Sequence, residues 1–192
     1  MNTDLIFYLG VLGGIVLVLG AMWTPEKTTP PPPLSGGRYK IPRNSVKNWL
    51  FAGGALILFA YALLNYLYGN GTLFFAILEI LAIVSSGLML GGIPAKISTK
   101  IIAVLGIGLV GWSIFIAKDY FAAIFILGLI TVSWGYVLPA GTAKRNFLLA
   151  IGSLLIALFS YLGSAWIFFW LNIFFAGFSF YHAWELAKER KN

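Results

Sequence analysis

The chain of 192 residues has no cysteine, a single histidine and few charged residues. Without cysteine there are no disulfides, no thiolate catalysis and no cysteine-ligated zinc or iron–sulfur centre. One imidazole, that of His182, cannot provide both axial ligands of a haem, and the chain has no HExxH motif or carboxylate cluster for a metal. No nucleophile–base pair or nucleotide-binding motif is visible either. The sequence therefore predicts no catalytic residues, no metal and no cofactor, and we do not expect an enzyme.

Charged residues are also too scarce to cover an aqueous surface. They make up 10% of the chain, against roughly 25% in soluble domains. The hydrophobic residues, 60% of the total, occur in long runs, and about 18 uncharged residues in a helix are enough to cross a bilayer. Backbone groups in lipid must bond within their own segment, which favours helices. We expect residues 1–192 to form a single all-α domain, a polytopic transmembrane helical bundle.

Seven apolar runs give the predicted spans. They cover residues 5–23, 49–68, 73–93, 101–117, 120–138, 147–162 and 165–186. The last two form one stretch of roughly 60 Å at 1.5 Å per residue, about twice the hydrocarbon thickness, so we predict a turn at Gly163-Ser164.

A basic linker rich in proline and glycine, residues 24–47, separates the first two spans. Its run from Pro30 to Pro33 is expected to be an extended polyproline II segment. We interpret the linker as a spacer, and a docking peptide for a partner domain is the alternative.

The basic residues predict the orientation of the chain. With these spans, twelve of the 13 lysines and arginines fall on one side of the membrane and only Lys118 on the other. The positive-inside rule then places the linker and the C-terminus in the cytoplasm and the N-terminus outside. The net charge of +7 is explained by this orientation, so no nucleic-acid partner is expected. We predict a multi-pass protein of the cell (plasma) membrane, in contact with the lipid bilayer.

Two segments of the sequence resemble each other. Lys47–Leu56 aligns with Arg145–Leu154, at the starts of the second and sixth predicted helices. This similarity suggests three helical hairpins (one–two, three–four and five–six) followed by a closing seventh helix. The alternative is chance similarity, because leucine, alanine and glycine are frequent throughout the chain. Such repeats would be parallel, and repeats are common in transporter folds.

Glu79 is the clearest candidate for a functional residue. It lies about six residues into the third span, roughly 9 Å deep at 1.5 Å per residue. An ionisable group at that depth is costly, so it should be neutral, paired or hydrated, and it marks a candidate site. Asn172 lies at a similar depth in the seventh span. If these two helices touch, the two side chains are expected to bond directly, and a purely structural bond between helices is the alternative.

Aromatic side chains at similar depth extend this candidate site. Trp112, Tyr161 and Trp170 all fall in the predicted outer half of the membrane. They are interpreted either as the lining of an outward-facing cavity or as an interfacial aromatic belt. His182, near the cytoplasmic end of the seventh span, is a candidate pH-sensitive residue, because imidazole changes charge near neutrality. A hydrogen-bonded interfacial histidine is the alternative.

Two functions are compatible with these features. The first is a channel or transporter for a small solute or ion, motivated by Glu79, Asn172 and the repeat. The second is a noncatalytic helical subunit of a larger membrane complex, motivated by the scarcity of polar groups. A homo-oligomer is compatible with either function.

Overall fold

The computed structural model describes residues 3–22, 46–69, 71–139 and 141–189. Nearly all of the predicted linker, residues 24–45, lies outside the described residues. The described ranges confirm the predicted all-α fold with seven helices. They are α1 (Thr3–Met22), α2 (Val46–Tyr68), α3 (Leu73–Leu90), α4 (Ala95–Ile116), α5 (Ala122–Val137), α6 (Ala143–Leu162) and α7 (Trp166–Glu189).

Six of the seven helices are long and apolar enough to cross a membrane, and α5 is shorter, with 16 residues. The α5 helix is capped at its start, where the backbone N–H of Ala122 donates to Oδ1 of Asp119 over 2.9 Å. Four helices begin before their predicted spans, and the difference is largest for α4, which begins at Ala95, and α6, which begins at Ala143. The apolar runs underestimate the lengths of these helices because their first turns carry polar residues such as Lys96 and Arg145.

Glycines bring α1 and α2 into close antiparallel contact. Gly13 packs against Leu58, and Gly20 packs against Phe51. Between them, a Cβ added to Gly54 would lie only 2.8 Å from the backbone nitrogen of Leu17. The contact positions advance along α1 as they go back along α2, as expected for antiparallel helices. The small residues at these positions allow the two helix axes to lie close together.

The α5–α6 pair packs in the same way. Gly128 packs against Ile156, and Gly135 packs against Leu149. A Cβ added to Gly152 would lie 2.8 Å from the backbone nitrogen of Val132. The glycines of α5 and α6 therefore stand in the same relative positions as those of α1 and α2.

The pairing of helices extends this correspondence. The contacts α1–α2, α2–α3 and α1–α7 correspond to α5–α6, α6–α7 and α3–α5. Exchanging α1–α3, the N-terminal half, with α5–α7, the C-terminal half, leaves this pattern unchanged. The α4 helix packs outside this ring, against α5 and α3. By these contacts the described helices form two three-helix halves joined by α4. The three hairpins suggested by the sequence stay a prediction.

The two ends of the bundle differ in charge. Because neighbouring helices are antiparallel, the starts of α2, α4 and α6 lie at the same end as the end of α7. This end, called here the basic end, carries Lys47, Lys96, Lys100, Lys144, Arg145 and Lys188. The opposite end carries Lys118, in the connection between α4 and α5.

The turn between α6 and α7 follows a Schellman pattern. Ala165 N–H donates to the carbonyl of Ser160 over 2.8 Å, and Ser164 takes a left-handed conformation with φ of 55°. The α3 helix ends in the same way at Gly92, with φ of 61°. Glycine is the usual residue at this position, because it has no Cβ to clash, so Ser164 is the less favourable choice.

Candidate functional site

A cavity of about 50 Å³ lies at the junction of the two halves. Four of its lining residues are polar: Glu79 on α3, Tyr136 on α5, Ser153 on α6 and Asn172 on α7. Apolar side chains complete the wall, and they include Leu17 of α1 and Phe51 of α2. Six helices, all except α4, therefore contribute to one central cavity.

Equivalent positions of the two halves face each other across this cavity. The segment Phe75-x-x-Leu78-Glu79-Ile80 of α3 matches Phe168-x-x-Leu171-Asn172-Ile173 of α7. Four pairs of equivalent residues line the cavity together: Leu17 and Val132, Leu78 and Leu171, Glu79 and Asn172, and Ala82 and Phe175. Glu79 and Asn172 are therefore counterparts in the two halves.

Glu79 is buried without a hydrogen-bond partner for one of its oxygens. Its side chain is 2% exposed, and Oε2 makes no hydrogen bond within the described residues. The side-chain amide of Asn172 donates instead to the backbone carbonyl of Phe168 over 2.8 Å. The cavity is large enough for water, since about 10–15 Å³ is enough for one molecule. A buried polar group without a partner is costly, and a water molecule in this cavity would supply a hydrogen-bond partner for Oε2 of Glu79.

Toward the opposite end, buried aromatic rings fill the centre of the bundle. The rings of Phe75 and Phe168 stack with their centroids 4.1 Å apart. Phe159 lies 5.8 Å from Phe75, and its counterpart Tyr61 lies 5.6 Å from Phe168. The aromatic cluster consists of Tyr61, Phe74, Phe75, Phe125, Phe159 and Phe168. These packed rings separate the cavity from the opposite end.

Toward the basic end, polar and charged side chains follow the cavity. Tyr136 lines the cavity together with Glu79. The guanidinium carbon of Arg145 lies 5.8 Å from the centre of the Tyr136 ring. The two sides of Glu79 thus differ, with an apolar barrier on one and a polar connection on the other.

The Arg145 side chain is positioned by the turn between α5 and α6. The hydroxyl of Thr142 accepts a hydrogen bond from the backbone N–H of Arg145 over 3.3 Å and donates to the carbonyl of Pro139 over 2.9 Å. This N-cap fixes the first turn of α6 relative to the end of α5. It thereby holds Arg145 next to Tyr136.

The predicted aromatic residues lie outside this cavity. Trp112, Tyr161 and Trp170 are exposed on the perimeter, each by between 44% and 54%, and Trp170 lines a shallow groove between α1 and α7. His182 also lies away from the cavity, with Nδ1 3.7 Å from a carboxylate oxygen of Glu185. The structure therefore brings together Glu79 and Asn172 among the predicted site residues, and leaves these four on the surface.

Sequence analysis missed Tyr136 and Ser153, because single tyrosines and serines are unremarkable in an apolar helix. Arg145 had a usable signal, since it begins one of the two aligned segments. Within the described ranges, no group of three histidine or acidic residues is arranged to hold a metal.

No protein-family model, curated protein or solved structure matches this chain. The fold and the composition together define its class, which is a multi-pass helical integral membrane protein.

Proposed function

We propose that this protein is a transporter for a small solute or ion, with Glu79 as the central binding group. The carrying observation is the position of Glu79, buried at the junction of two similarly packed halves, opposite Asn172 and without a partner for Oε2. In transporters built from repeats, solute and coupling-ion sites lie near the membrane midplane at the repeat interface. Intramembrane carboxyl groups mark such pathways and proton relays.

The asymmetry of the site suggests how transport proceeds. The aromatic cluster closes the path to the opposite end, while Tyr136 and Arg145 continue the path to the basic end. This conformation corresponds to a state that receives or releases its cargo at the basic end. Movement of the halves against each other would separate Phe75 from Phe168 and open the other side. A cavity of about 50 Å³ favours a proton or a solute of very few atoms in this state.

The proposal includes the location and orientation predicted from the charges. The protein lies in the cell membrane with its basic end in the cytoplasm, so the present conformation faces inward.

The test is transport by the purified protein in liposomes. Pyranine trapped inside reports proton entry driven by a potassium diffusion potential, and light scattering reports entry of glycerol. We expect Glu79→Gln to reduce the flux of the transported species by about tenfold or more, because Glu79 and Tyr136 are the ionisable groups among the described residues of the cavity wall. Asn172→Leu is expected to reduce it as well.

Glu185→Gln is the matched control, because Glu185 is an exposed glutamate on α7, and its flux should remain within about twofold of the wild type. Equal flux through the wild type and Glu79→Gln would contradict the role of Glu79. Flux of both probes no higher than in protein-free liposomes would count against transport of protons and of small neutral solutes.

A second candidate function is that of a noncatalytic subunit of a larger membrane complex. The observation that favours it is the groove of about 400 Å³ between α1 and α7, which has apolar and aromatic walls. Gly14 opens this groove, since an added Cβ there would meet nothing within 4 Å. Mild solubilisation followed by mass measurement tests this function. Co-purification with other membrane subunits would support it, and a lone monodisperse species would count against it.

A further inference from the structure

Four helices contribute oxygen-bearing side chains to the wall of the central cavity. These are the carboxyl group of Glu79, the hydroxyl groups of Tyr136 and Ser153, and the amide group of Asn172. The amide nitrogen of Asn172 donates to the backbone carbonyl of Phe168 over 2.8 Å. Because a carbonyl can only accept, this bond engages the nitrogen and leaves Oδ1 as the acceptor of the side chain. All four side chains therefore carry an oxygen that can bind a cation.

Glu79 alone determines the charge that this wall can carry near neutral pH. No lysine, arginine or histidine occurs among the described residues that line the cavity, and Oε2 of Glu79 has no hydrogen-bond partner there. An ionised carboxylate buried in this way needs a counter-charge. One monovalent cation would balance it, whereas sites for divalent ions are usually built from several carboxylates. The charge of the wall therefore favours a monovalent ion.

The size and chemistry of the cavity restrict the choice of cation further. A volume of about 50 Å³ can hold a small ion with a water molecule, but not a bulky organic cation. Carboxylate, carbonyl and hydroxyl oxygens are the ligands of hard metal cations. The site residues lie within continuous helices, so side chains and not unwound backbone would provide the ligands. These features together suit a small, hard, monovalent metal ion.

We propose that Glu79, Tyr136, Ser153 and Asn172 form a binding site for sodium at the junction of the two halves. As the identity of the transported or coupling ion, sodium rests on the proposed transport function, whereas its binding can be measured without transport. Glu79 belongs to the N-terminal half and the other three residues to the C-terminal half. A sodium ion held between them would link the two halves and stabilise the folded protein.

The test measures sodium binding to the purified full-length protein in nanodiscs at mildly alkaline pH. Radioactive sodium in a choline chloride background reports binding, and unlabelled sodium competes with it. We expect saturable binding of one ion per chain. Melting temperatures provide a second readout, because an ion that binds the folded state raises them in sodium chloride relative to choline chloride.

Variants of the wall separate this site from general attraction of cations. Glu79→Gln keeps an oxygen but removes the charge, so we expect it to weaken sodium binding by about tenfold or more. Ser153→Ala and Asn172→Leu each remove one oxygen ligand and should weaken binding by about fivefold. Melting temperatures in choline chloride establish that each variant is folded.

Ser160→Ala is the matched control for Ser153→Ala. Ser160 is also buried on α6, but its hydroxyl donates to the backbone carbonyl of Ile156 over 2.7 Å, and it does not line the cavity. Sodium binding by this variant should stay within about twofold of the wild type.

The sodium site is overturned if the wild type shows no saturable binding, or if Glu79→Gln binds sodium as well as the wild type does. Equal losses in Ser160→Ala and Ser153→Ala would also overturn it, because the loss would then be a general effect of altering α6. Flux that depends on Glu79 without sodium binding would leave the proposed transport function standing with another cargo. Sodium binding without any flux would leave the site standing and overturn transport.

Discussion

The rings of Phe75 and Phe168 stack face to face, with 4.1 Å between their centroids and 2° between their planes. Each ring lies one helical turn before a polar residue of the cavity, Glu79 on α3 and Asn172 on α7. The stack therefore fixes the height of α3 relative to α7 and sets these two polar residues at the same level. The stack also forms the centre of the aromatic cluster, which lies between these two polar residues and the opposite end of the bundle.

Removing one ring of this stack should lower the stability of the protein. Phe168 is 1% exposed, so Phe168→Ala is expected to lower the free energy of unfolding by about 3–5 kcal/mol. Denaturation in mixed detergent micelles, followed by tryptophan fluorescence, measures this change. Phe115→Ala on α4 is the control, because Phe115 is 88% exposed, and it should change stability by no more than about 0.5 kcal/mol. Similar losses for both variants would show that the stack has no special role.

The close packing of α5 and α6 predicts a difference in stability between two glycine-to-alanine variants. A Cβ at Gly152 would lie 2.6 Å from Cγ2 of Val132 and 2.9 Å from the carbonyl oxygen of Gly128. Gly152→Ala must push the two helices apart, and we expect a loss of about 1–3 kcal/mol in the same unfolding assay. Gly177→Ala meets nothing within 4 Å and should be neutral or slightly stabilising, since alanine favours helix over glycine. Unchanged stability of Gly152→Ala would contradict the observed interface.

The two left-handed turns predict opposite effects on stability for two reciprocal substitutions. Ser164 has a φ of 55° and Gly92 a φ of 61°, although serine pays a steric cost in this region and glycine does not. Ser164→Gly is expected to raise stability by up to about 1 kcal/mol, and Gly92→Ser to lower it by a similar amount. Melting temperatures of the two variants should therefore move in opposite directions. Shifts of the same sign would mean that another effect dominates at one of the turns.

The absence of cysteine makes the predicted orientation easy to test. Single variants Lys118→Cys and Lys96→Cys place one thiol at each end of the bundle. With the basic end in the cytoplasm, an impermeant maleimide should label Lys118→Cys in intact cells, and Lys96→Cys only after permeabilisation. The reverse pattern would invert the topology, and labelling of both thiols in intact cells would show that the two positions share one side.

Comparison of the sequence with itself detected one part of the correspondence between the two halves and missed another. Lys47–Leu56 and Arg145–Leu154 could be aligned because they match over consecutive residues. The correspondence of α1 with α5 rests on separated glycines, Gly13 and Gly20 with Gly128 and Gly135, in helices full of small apolar residues. The connection between α1 and α2 is also much longer than that between α5 and α6, so no single offset aligns both pairs. The contacts of these glycines and the pairing of the helices made the three-helix division visible.

The sequence by itself predicted a multi-pass helical membrane protein, because its charges are few and its apolar runs are long enough to cross a bilayer as helices. It also predicted that Glu79 and Asn172 lie at similar depths, since rise per residue is fixed along a helix. The tertiary structure alone decided which neighbours each helix face meets. That choice placed Glu79 and Asn172 in one cavity with Tyr136, and it turned Trp112, Tyr161 and Trp170 outward. Depth follows from local geometry, whereas direction around the helix axis follows from packing between segments far apart in the chain.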